Sequence, residues 1–122
     1  MQDSIFLGIG IQSYEGGLND LMGARRSVKA LGSWALSQGY RTQILTDEKG
    51  LVNSATVGDV LHALLGDGGQ HRIIVAFAGH GMRRDGAEEF WLLSRWKDAD
   101  GAIDIGRFRD PSELIDPNKL LS

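Results

Sequence analysis

The 122-residue sequence contains no cysteine. This absence excludes disulfide bonds, thiolate metal ligands and a cysteine nucleophile within these residues. Long hydrophobic runs are missing as well, because the apolar stretch at residues 5–11 is too short to span a bilayer. The residues before it include Asp3, where a signal peptide has Lys or Arg. We therefore expect a soluble, cytoplasmic protein with no membrane partner.

An excess of either charge sign is also missing. The 13 basic and 16 acidic residues leave a formal net charge of -3, so the basic field that attracts phosphate backbones is absent. Nucleic acid is accordingly not an expected partner. Hydrophobic residues at 42% and charged residues at 24% are close to the average of soluble globular proteins. The length suits one compact domain, and we treat residues 1–122 as a single domain.

Three segments predict strands, at residues 5–11, 40–45 and 72–78. The first is apolar throughout and the third is apolar after Arg72, which is typical of strands buried on both faces of a parallel sheet. A further strand of a hairpin is predicted at residues 88–93. Later segments are less regular and predict a turn at 98–101, a short helix at 105–114 and the start of another strand at 119–122.

Two segments between these strands predict amphipathic helices, because their apolar residues recur three and four positions apart. The first begins at Asn19 or Asp20 as the N-cap and ends at Gly39. The second begins with a variant capping box at Thr56 and ends at Gly66. The alternation of strands and helices predicts an α/β fold, a doubly wound and mainly parallel sheet with helices on both faces.

The candidate for chemistry is His80, which stands between two glycines directly after the third predicted strand. In open α/β sheets, ligands bind at the carboxyl ends of the strands. Glycines have no Cβ, so they let a substrate backbone approach closely and leave a main-chain N–H free to donate. Imidazole titrates near neutral pH and can both accept and return a proton. His80 is therefore a candidate general acid–base residue.

Several segments resemble the caspase-like cysteine peptidases, a family that includes metacaspases and many bacterial members. The matching features are a buried first strand, a glycine-containing loop to an Asn-Asp pair, a Leu-to-Asp step, a Gly-His-Gly segment and a Glu-Phe-Trp-Leu-Leu strand. In this sequence they lie at residues 4–11, 16–20, 36–47, 78–81 and 89–93. The resemblance covers about residues 4 to 110 and implies a caspase-like fold that is incomplete at its C-terminus.

The resemblance also implies roles for three residues. His80 matches the catalytic histidine, and the main-chain N–H of Gly81 matches one donor of the oxyanion hole. Asp20 matches the acidic residue that holds Arg or Lys before the scissile bond, although an acid stabilising a helix N-terminus is an alternative interpretation. The nucleophile of the family is a cysteine at the end of the next core strand. We expect it shortly beyond residue 122, which would make the chain a truncated or a processed large subunit. The alternative is a degenerate copy.

The expected partners are a protein or peptide substrate, together with the missing small-subunit portion or a second copy of the chain. A partner is expected because an incomplete sheet would leave an apolar edge exposed. No cofactor or metal is predicted. One alternative is a caspase-fold interaction module that lost its nucleophile and has no catalytic function. Another is a nucleotide-binding domain, which is disfavoured because Ser13 replaces the third glycine of the dinucleotide fingerprint.

Overall fold

The computed structural model describes residues 3–15, 17–66, 71–84, 88–98 and 101–104. The predicted helix at 105–114 and the predicted strand at 119–122 lie outside these ranges. The strands are β1 (Asp3–Gly10), β2 (Arg41–Thr46), β3 (His71–Ala78), β4 (Gly81–Arg84), β5 (Glu88–Leu92) and β6 (Ala102–Asp104), and the helices are α1 (Ala24–Ser37) and α2 (Ser54–Leu65). Within the described ranges, neither helix combines the length and the apolar character needed to cross a membrane.

The first three strands form a parallel sheet in the order β2-β1-β3. The central strand β1 pairs with both neighbours, so Ile5 lies between Arg41 on β2 and Ile73 on β3. Side chains of β1 are buried on both faces of the sheet, and Ile5 and Phe6 are at most 1% exposed. The three predicted strands are therefore confirmed, with small shifts at their ends.

The two helices cover opposite faces of this sheet. On one face α1 lies so close that a Cβ placed on Gly10 would meet Val28 at 2.6 Å. Successive residues of a strand point to opposite faces, so Leu7 points away from α1. Leu7 belongs to the buried cluster that includes Val57 and Leu61 of α2. The predicted α/β class, with a parallel sheet between helices, is confirmed.

The remaining strands form a separate antiparallel sheet in the order β4-β5-β6. The hairpin strand predicted at residues 88–93 corresponds to β5, and it pairs with β4 on one side and β6 on the other. The N–H of Gly101 donates to the carbonyl of Asp98 at 3.1 Å, and the two middle residues of the turn predicted at 98–101 lie outside the described ranges. Sequence patterns did not predict β4 and β6, since strands this short carry little periodicity.

The predicted start of the first helix is wrong. Helix α1 begins at Ala24, and its N-cap is Gly23 with φ of 95°, whereas Asn19 and Asp20 lie in the preceding loop. That loop is held instead by tertiary contacts, such as those from the N–H groups of Gln12 and Ser13 to the carboxylate of Asp47. The predicted end is correct to within two residues, since α1 ends at Ser37 and Gly39 follows in the left-handed region with φ of 84°.

The predicted start of the second helix is also displaced. The N-cap of α2 is Asn53, whose side-chain oxygen accepts a hydrogen bond of 2.9 Å from the N–H of Thr56. Thr56 therefore lies inside the first turn, and its hydroxyl also donates to Asn53. Asparagine is among the best N-cap residues because its short side chain reaches these free N–H groups. The predicted end at Gly66 is confirmed.

Candidate functional site

At the carboxyl edge of the parallel sheet, the connections that leave β1 and β3 lead to opposite faces of the sheet. The connection that leaves β1 leads to α1 on one face of the sheet. The connection that leaves β3 leads to the antiparallel sheet, where Leu92 at the end of β5 and the following Leu93 pack in the cluster with α2 on the other face. Neighbouring strands whose connections diverge leave a crevice, which is where α/β proteins usually bind ligands. His80 follows β3 at this position.

The imidazole of His80 is bound to the loop that follows β1. Its Nε2 lies 2.8 Å from the carbonyl oxygen of Asn19. A carbonyl oxygen only accepts hydrogen bonds, so this contact requires the proton to be on Nε2. In the neutral ring, Nδ1 is then the unprotonated nitrogen. Nδ1 is therefore the atom that can take a proton from a nucleophile.

The main chain of His80 is held by the hydroxyl of Tyr14. The N–H of His80 donates to this hydroxyl at 2.8 Å, and the hydroxyl donates to the carbonyl of Leu92 at 2.9 Å. The tyrosine ring also meets the imidazole edge to face, with centroids 4.9 Å apart and an angle of 67° between the rings. Tyr14 thus contacts both the backbone and the ring of the histidine.

The hydroxyl of Tyr14 stays protonated over the physiological range. Burial raises the pKa of Tyr14 to about 12, although the hydrogen bond from the His80 N–H acts in the opposite direction. The tyrosine is only 8% exposed. Because the hydroxyl keeps its proton, it can donate to Leu92 and accept from His80 at the same time.

The residue before the histidine has to be a glycine for Tyr14 to reach its partners. A Cβ placed on Gly79 would lie 2.4 Å from the tyrosine oxygen and 2.6 Å from the ring of Phe77. Contacts this short require atoms to move. The first glycine of the Gly-His-Gly segment therefore has a structural reason, in addition to the access that the sequence suggested.

The second glycine of the segment directs its N–H away from the neighbouring strand. The N–H of Leu92 donates to the carbonyl of His80 at 3.0 Å, which makes His80 and Leu92 a hydrogen-bonded pair. Such pairs alternate with non-hydrogen-bonded pairs along an antiparallel ladder. The next pair, Gly81 and Trp91, is therefore non-hydrogen-bonded. In such a pair the N–H of Gly81 points away from β5. Gly81 is exposed, and β4 is an edge strand of its sheet as described.

A buried carboxylate fixes the start of the loop that carries Tyr14 and Asn19. Asp47, at the end of β2, accepts from the main-chain N–H of Gln12 at 3.1 Å and from that of Ser13 at 2.8 Å. It also pairs with the guanidinium of Arg25 at 2.8 Å, and its side chain is only 4% exposed. Asp47 therefore joins the loop after β1 to β2 and to the first turn of α1.

Asp47 remains charged well into the acidic range. Burial raises the pKa of this carboxyl, but the hydrogen bonds from Arg25, Ser13 and Gln12 together outweigh burial. The net result is a pKa below the ordinary value for aspartate. The charged carboxylate is the form that accepts these bonds, which are stronger than bonds between neutral groups.

The middle of the loop is tied to the turn that follows β5. The N–H of Glu15 donates to the carbonyl of Ser94 at 3.0 Å, and the indole N–H of Trp96 donates to the carbonyl of Glu15 at 2.9 Å. The loop is closed where the N–H of Leu21 donates to the carbonyl of Gln12 at 2.7 Å. These contacts fix the path of the main chain on which the Asn19 carbonyl stands.

The structure brings the three predicted site residues close together. Gly81 follows His80 directly, and Asp20 follows Asn19, whose carbonyl accepts from His80. Asp20 is exposed. The alternative interpretation, an acid at the start of the first helix, does not fit, because α1 begins at Ala24 and has no acidic residue in its first turn.

Asp20 also contributes to the electrostatics of Arg25. The pKa of Arg25 is raised mainly by its hydrogen bond to Asp47, and the charge of Asp20 adds a smaller contribution in the same direction. The Asp20 carboxylate is therefore an exposed negative charge in the loop after β1, within electrostatic reach of Arg25.

Sequence reasoning missed the supporting role of Tyr14 and the main-chain role of Asn19. One signal was present for Tyr14: a large aromatic residue beside Gly16 and Gly17 in an otherwise polar loop. Tyrosines are favoured where an apolar ring can be buried and the hydroxyl can find a partner. No local signal identifies Asn19, because its carbonyl, rather than its side chain, makes the contact.

The described residues contain no group of three or more His, Cys, Asp or Glu side chains placed to hold a metal ion. Comparison of the chain with protein-family models and with curated proteins gives no match.

Proposed function

We propose that this chain is the histidine-bearing part of a caspase-like cysteine endopeptidase. The observation that carries the proposal is the setting of His80 at the carboxyl edge of the sheet. Its Nε2 is bound to a main-chain carbonyl, which leaves Nδ1 as the base. The N–H of the adjacent Gly81 points away from β5, the strand that pairs with β4. A base beside an outward N–H is the arrangement that acyl transfer needs.

The reaction would proceed in two steps with a thiol from outside these 122 residues. In the first step, Nδ1 of His80 takes the thiol proton, the sulfur attacks the peptide carbonyl, and the oxyanion accepts from the N–H of Gly81. The amine then leaves with the proton from Nδ1, and a thioester remains. In the second step, His80 activates water, which hydrolyses the thioester. Loss of one oxyanion donor costs roughly 3 to 4 kcal/mol in comparable enzymes.

The proposed substrate is a peptide with Arg or Lys before the scissile bond. Asp20 supports this preference, because its carboxylate is exposed and lies one residue from the carbonyl that binds His80. A carboxylate and a guanidinium form a strong charge-assisted pair. A substrate with an acidic residue before the scissile bond would instead be repelled by the negative charge of Asp20. The thiol would come from a small-subunit portion or from a second chain.

A second candidate is an interaction module with the same fold and no catalytic function. The sequence favours it in one respect, since none of the 122 residues is a cysteine. In that case His80 would serve structure only, through its bonds to Asn19 and Tyr14.

Peptide hydrolysis by the product of the complete coding sequence separates the two candidates. We expect fluorogenic peptides ending in Arg or Lys to be cleaved, and peptides ending in Asp to be resistant. His80→Ala should abolish cleavage, and Asp20→Asn should reduce the preference for basic residues. His62→Ala is the control, because His62 is an exposed histidine of α2.

Two outcomes would overturn the peptidase proposal. The first is cleavage that survives His80→Ala. The second is a complete gene product that has no cysteine and cleaves none of these peptides, which would support the interaction module.

A further inference from the structure

The first rung of the β4–β5 hairpin is built in an unusual way. His80 and Leu92 form a hydrogen-bonded pair, in which two direct N–H to carbonyl bonds are expected. Only one of them is direct, from the N–H of Leu92 to the carbonyl of His80 at 3.0 Å. The other runs through the hydroxyl of Tyr14, which accepts from His80 and donates to Leu92. A side chain from a distant loop thus replaces one backbone bond of the hairpin.

This inserted hydroxyl affects the two groups on which the proposed chemistry depends. It sets the position of the His80 main chain, and the next N–H along the chain is that of Gly81. The ring of Tyr14 also packs against the imidazole, with centroids 4.9 Å apart. The imidazole therefore has two constraints, the carbonyl of Asn19 at Nε2 and the aromatic ring of Tyr14.

We propose that Tyr14 is a positioning residue: it fixes the His80 main chain, and thereby the contact of Nε2 with the Asn19 carbonyl and the direction of the Gly81 N–H. This inference rests on the proposed function for its catalytic meaning. Tyr14 acts through His80 and takes no part in proton transfer, since its hydroxyl is already engaged with two main-chain groups. The raised pKa of Tyr14, about 12, agrees with a hydroxyl that remains a neutral donor.

Gly79 leaves the space that the Tyr14 hydroxyl needs between His80 and Leu92. A side chain at this position would displace the tyrosine oxygen, since a Cβ would lie 2.4 Å from it. Gly79→Ala should therefore break the hydrogen bond from the His80 N–H to Tyr14 while the hydroxyl itself is retained. Tyr14→Phe and Gly79→Ala thus remove the same hydrogen bond in two independent ways.

Nitrogen NMR of the isotope-labelled 122-residue chain tests the inference directly. In the wild type we expect the His80 ring to show a protonated Nε2 and an unprotonated Nδ1. Tyr14→Phe should produce a mixture of the two tautomers and shift the amide resonance of Gly81. Tyr40→Phe is the matched control, because Tyr40 is the other tyrosine of the chain and packs against Trp34, far from the hairpin in sequence. It should change neither signal.

Gly79→Ala keeps the test decisive if Tyr14→Phe fails to fold, and it should give the same changes at His80 and Gly81. A folded Tyr14→Phe or Gly79→Ala protein with an unchanged His80 tautomer and an unchanged Gly81 amide would overturn the inference.

Kinetics on the complete gene product distinguish this inference from the proposed function. If the peptidase is active, Tyr14→Phe should lower kcat on the order of ten- to a hundredfold and leave KM nearly unchanged, as expected for a misplaced catalytic group. Absence of cleavage in the wild type would overturn the peptidase proposal, whereas the NMR result would still decide the role of Tyr14. Normal kcat in Tyr14→Phe would overturn the positioning role alone.

Discussion

The interior of the parallel sheet and its carboxyl edge are stabilised in different ways. In the interior, Ile5, Leu7 and Ile9 are fully buried, and their contribution comes from apolar surface removed from water. At the edge, the loop after β1 is held by directed bonds, from the carboxylate of Asp47 and the hydroxyl of Tyr14. Apolar burial depends on area and volume, whereas these bonds depend on single atoms. A change of a single atom should therefore have a larger effect at the edge than in the interior.

The largest expected effect is in the interior of the sheet. Leu7→Ala should lower the free energy of unfolding by about 2 to 5 kcal/mol, because it leaves a cavity in the buried cluster. Urea unfolding measures this. The control is Leu36→Ala on α1, where the side chain is 63% exposed, and its effect should stay within about 0.5 kcal/mol. Equal effects of the two substitutions would contradict the assignment of the core.

A smaller loss is expected at the edge from Asp47→Asn, about 1.5 to 3 kcal/mol, because bonds to a charged group are replaced by weaker ones. The pH dependence has a definite sign. Since folding lowers the pKa of Asp47, its contribution is complete above the unfolded value and is lost as the pH falls through the folded value. Acid unfolding curves should therefore be flatter for Asp47→Asn.

The exposed Asp59→Asn on α2 is the control for this acid effect. If it flattened the acid unfolding curve as much as Asp47→Asn, the buried carboxylate would not be the group responsible.

Tyr14→Phe should lower the free energy of unfolding by about 1 to 3 kcal/mol, because the partly buried N–H of His80 loses its hydrogen-bond acceptor.

The same tyrosine predicts a pH dependence at alkaline pH. The pKa of Tyr14 is about 12 in the folded protein and about 10 in an unfolded chain. Since the folded value is the higher one, the wild type should lose stability as the pH rises through this window. Tyr14→Phe should show less of this alkaline loss, and tyrosinate absorbance should lose the step near pH 12.

The smallest expected effect is at a local cap away from the site. Asn53→Ala should lower the free energy of unfolding by about 1 kcal/mol, because the N–H of Thr56 loses its acceptor. Asn53→Asp should retain most of the stability, since aspartate caps equally well. A loss as large as that of Leu7→Ala would show that α2 depends on its cap more than on its buried face.

The elements of the sheet could be predicted because their signals are local. The run 73–78 is apolar throughout, and such a run needs no knowledge of its neighbours to indicate a buried strand. The start of α1 could not be predicted in the same way. Asn19 and Asp20 are good cap residues by type, but the loop around them is held by Asp47 on β2 and by His80.

The candidate site could likewise be predicted only in part from local patterns in the sequence. His80 and Gly81 were proposed as site residues because a histidine between glycines after a strand is a local pattern. Tyr14 was not found, since its hydroxyl bonds to residues 66 and 78 positions away in sequence. Only the packing of the antiparallel sheet against the loop brings these groups together.

The sequence by itself determined the α/β class, the order of the main strands and helices, and the presence of one imidazole at a strand end. The tertiary structure decided which nitrogen of that imidazole carries the proton, because the carbonyl of Asn19 reaches Nε2 across 61 residues of sequence. Apolar periodicity is written into each segment separately, whereas a hydrogen bond needs two atoms at a fixed distance. Folding alone supplies that distance.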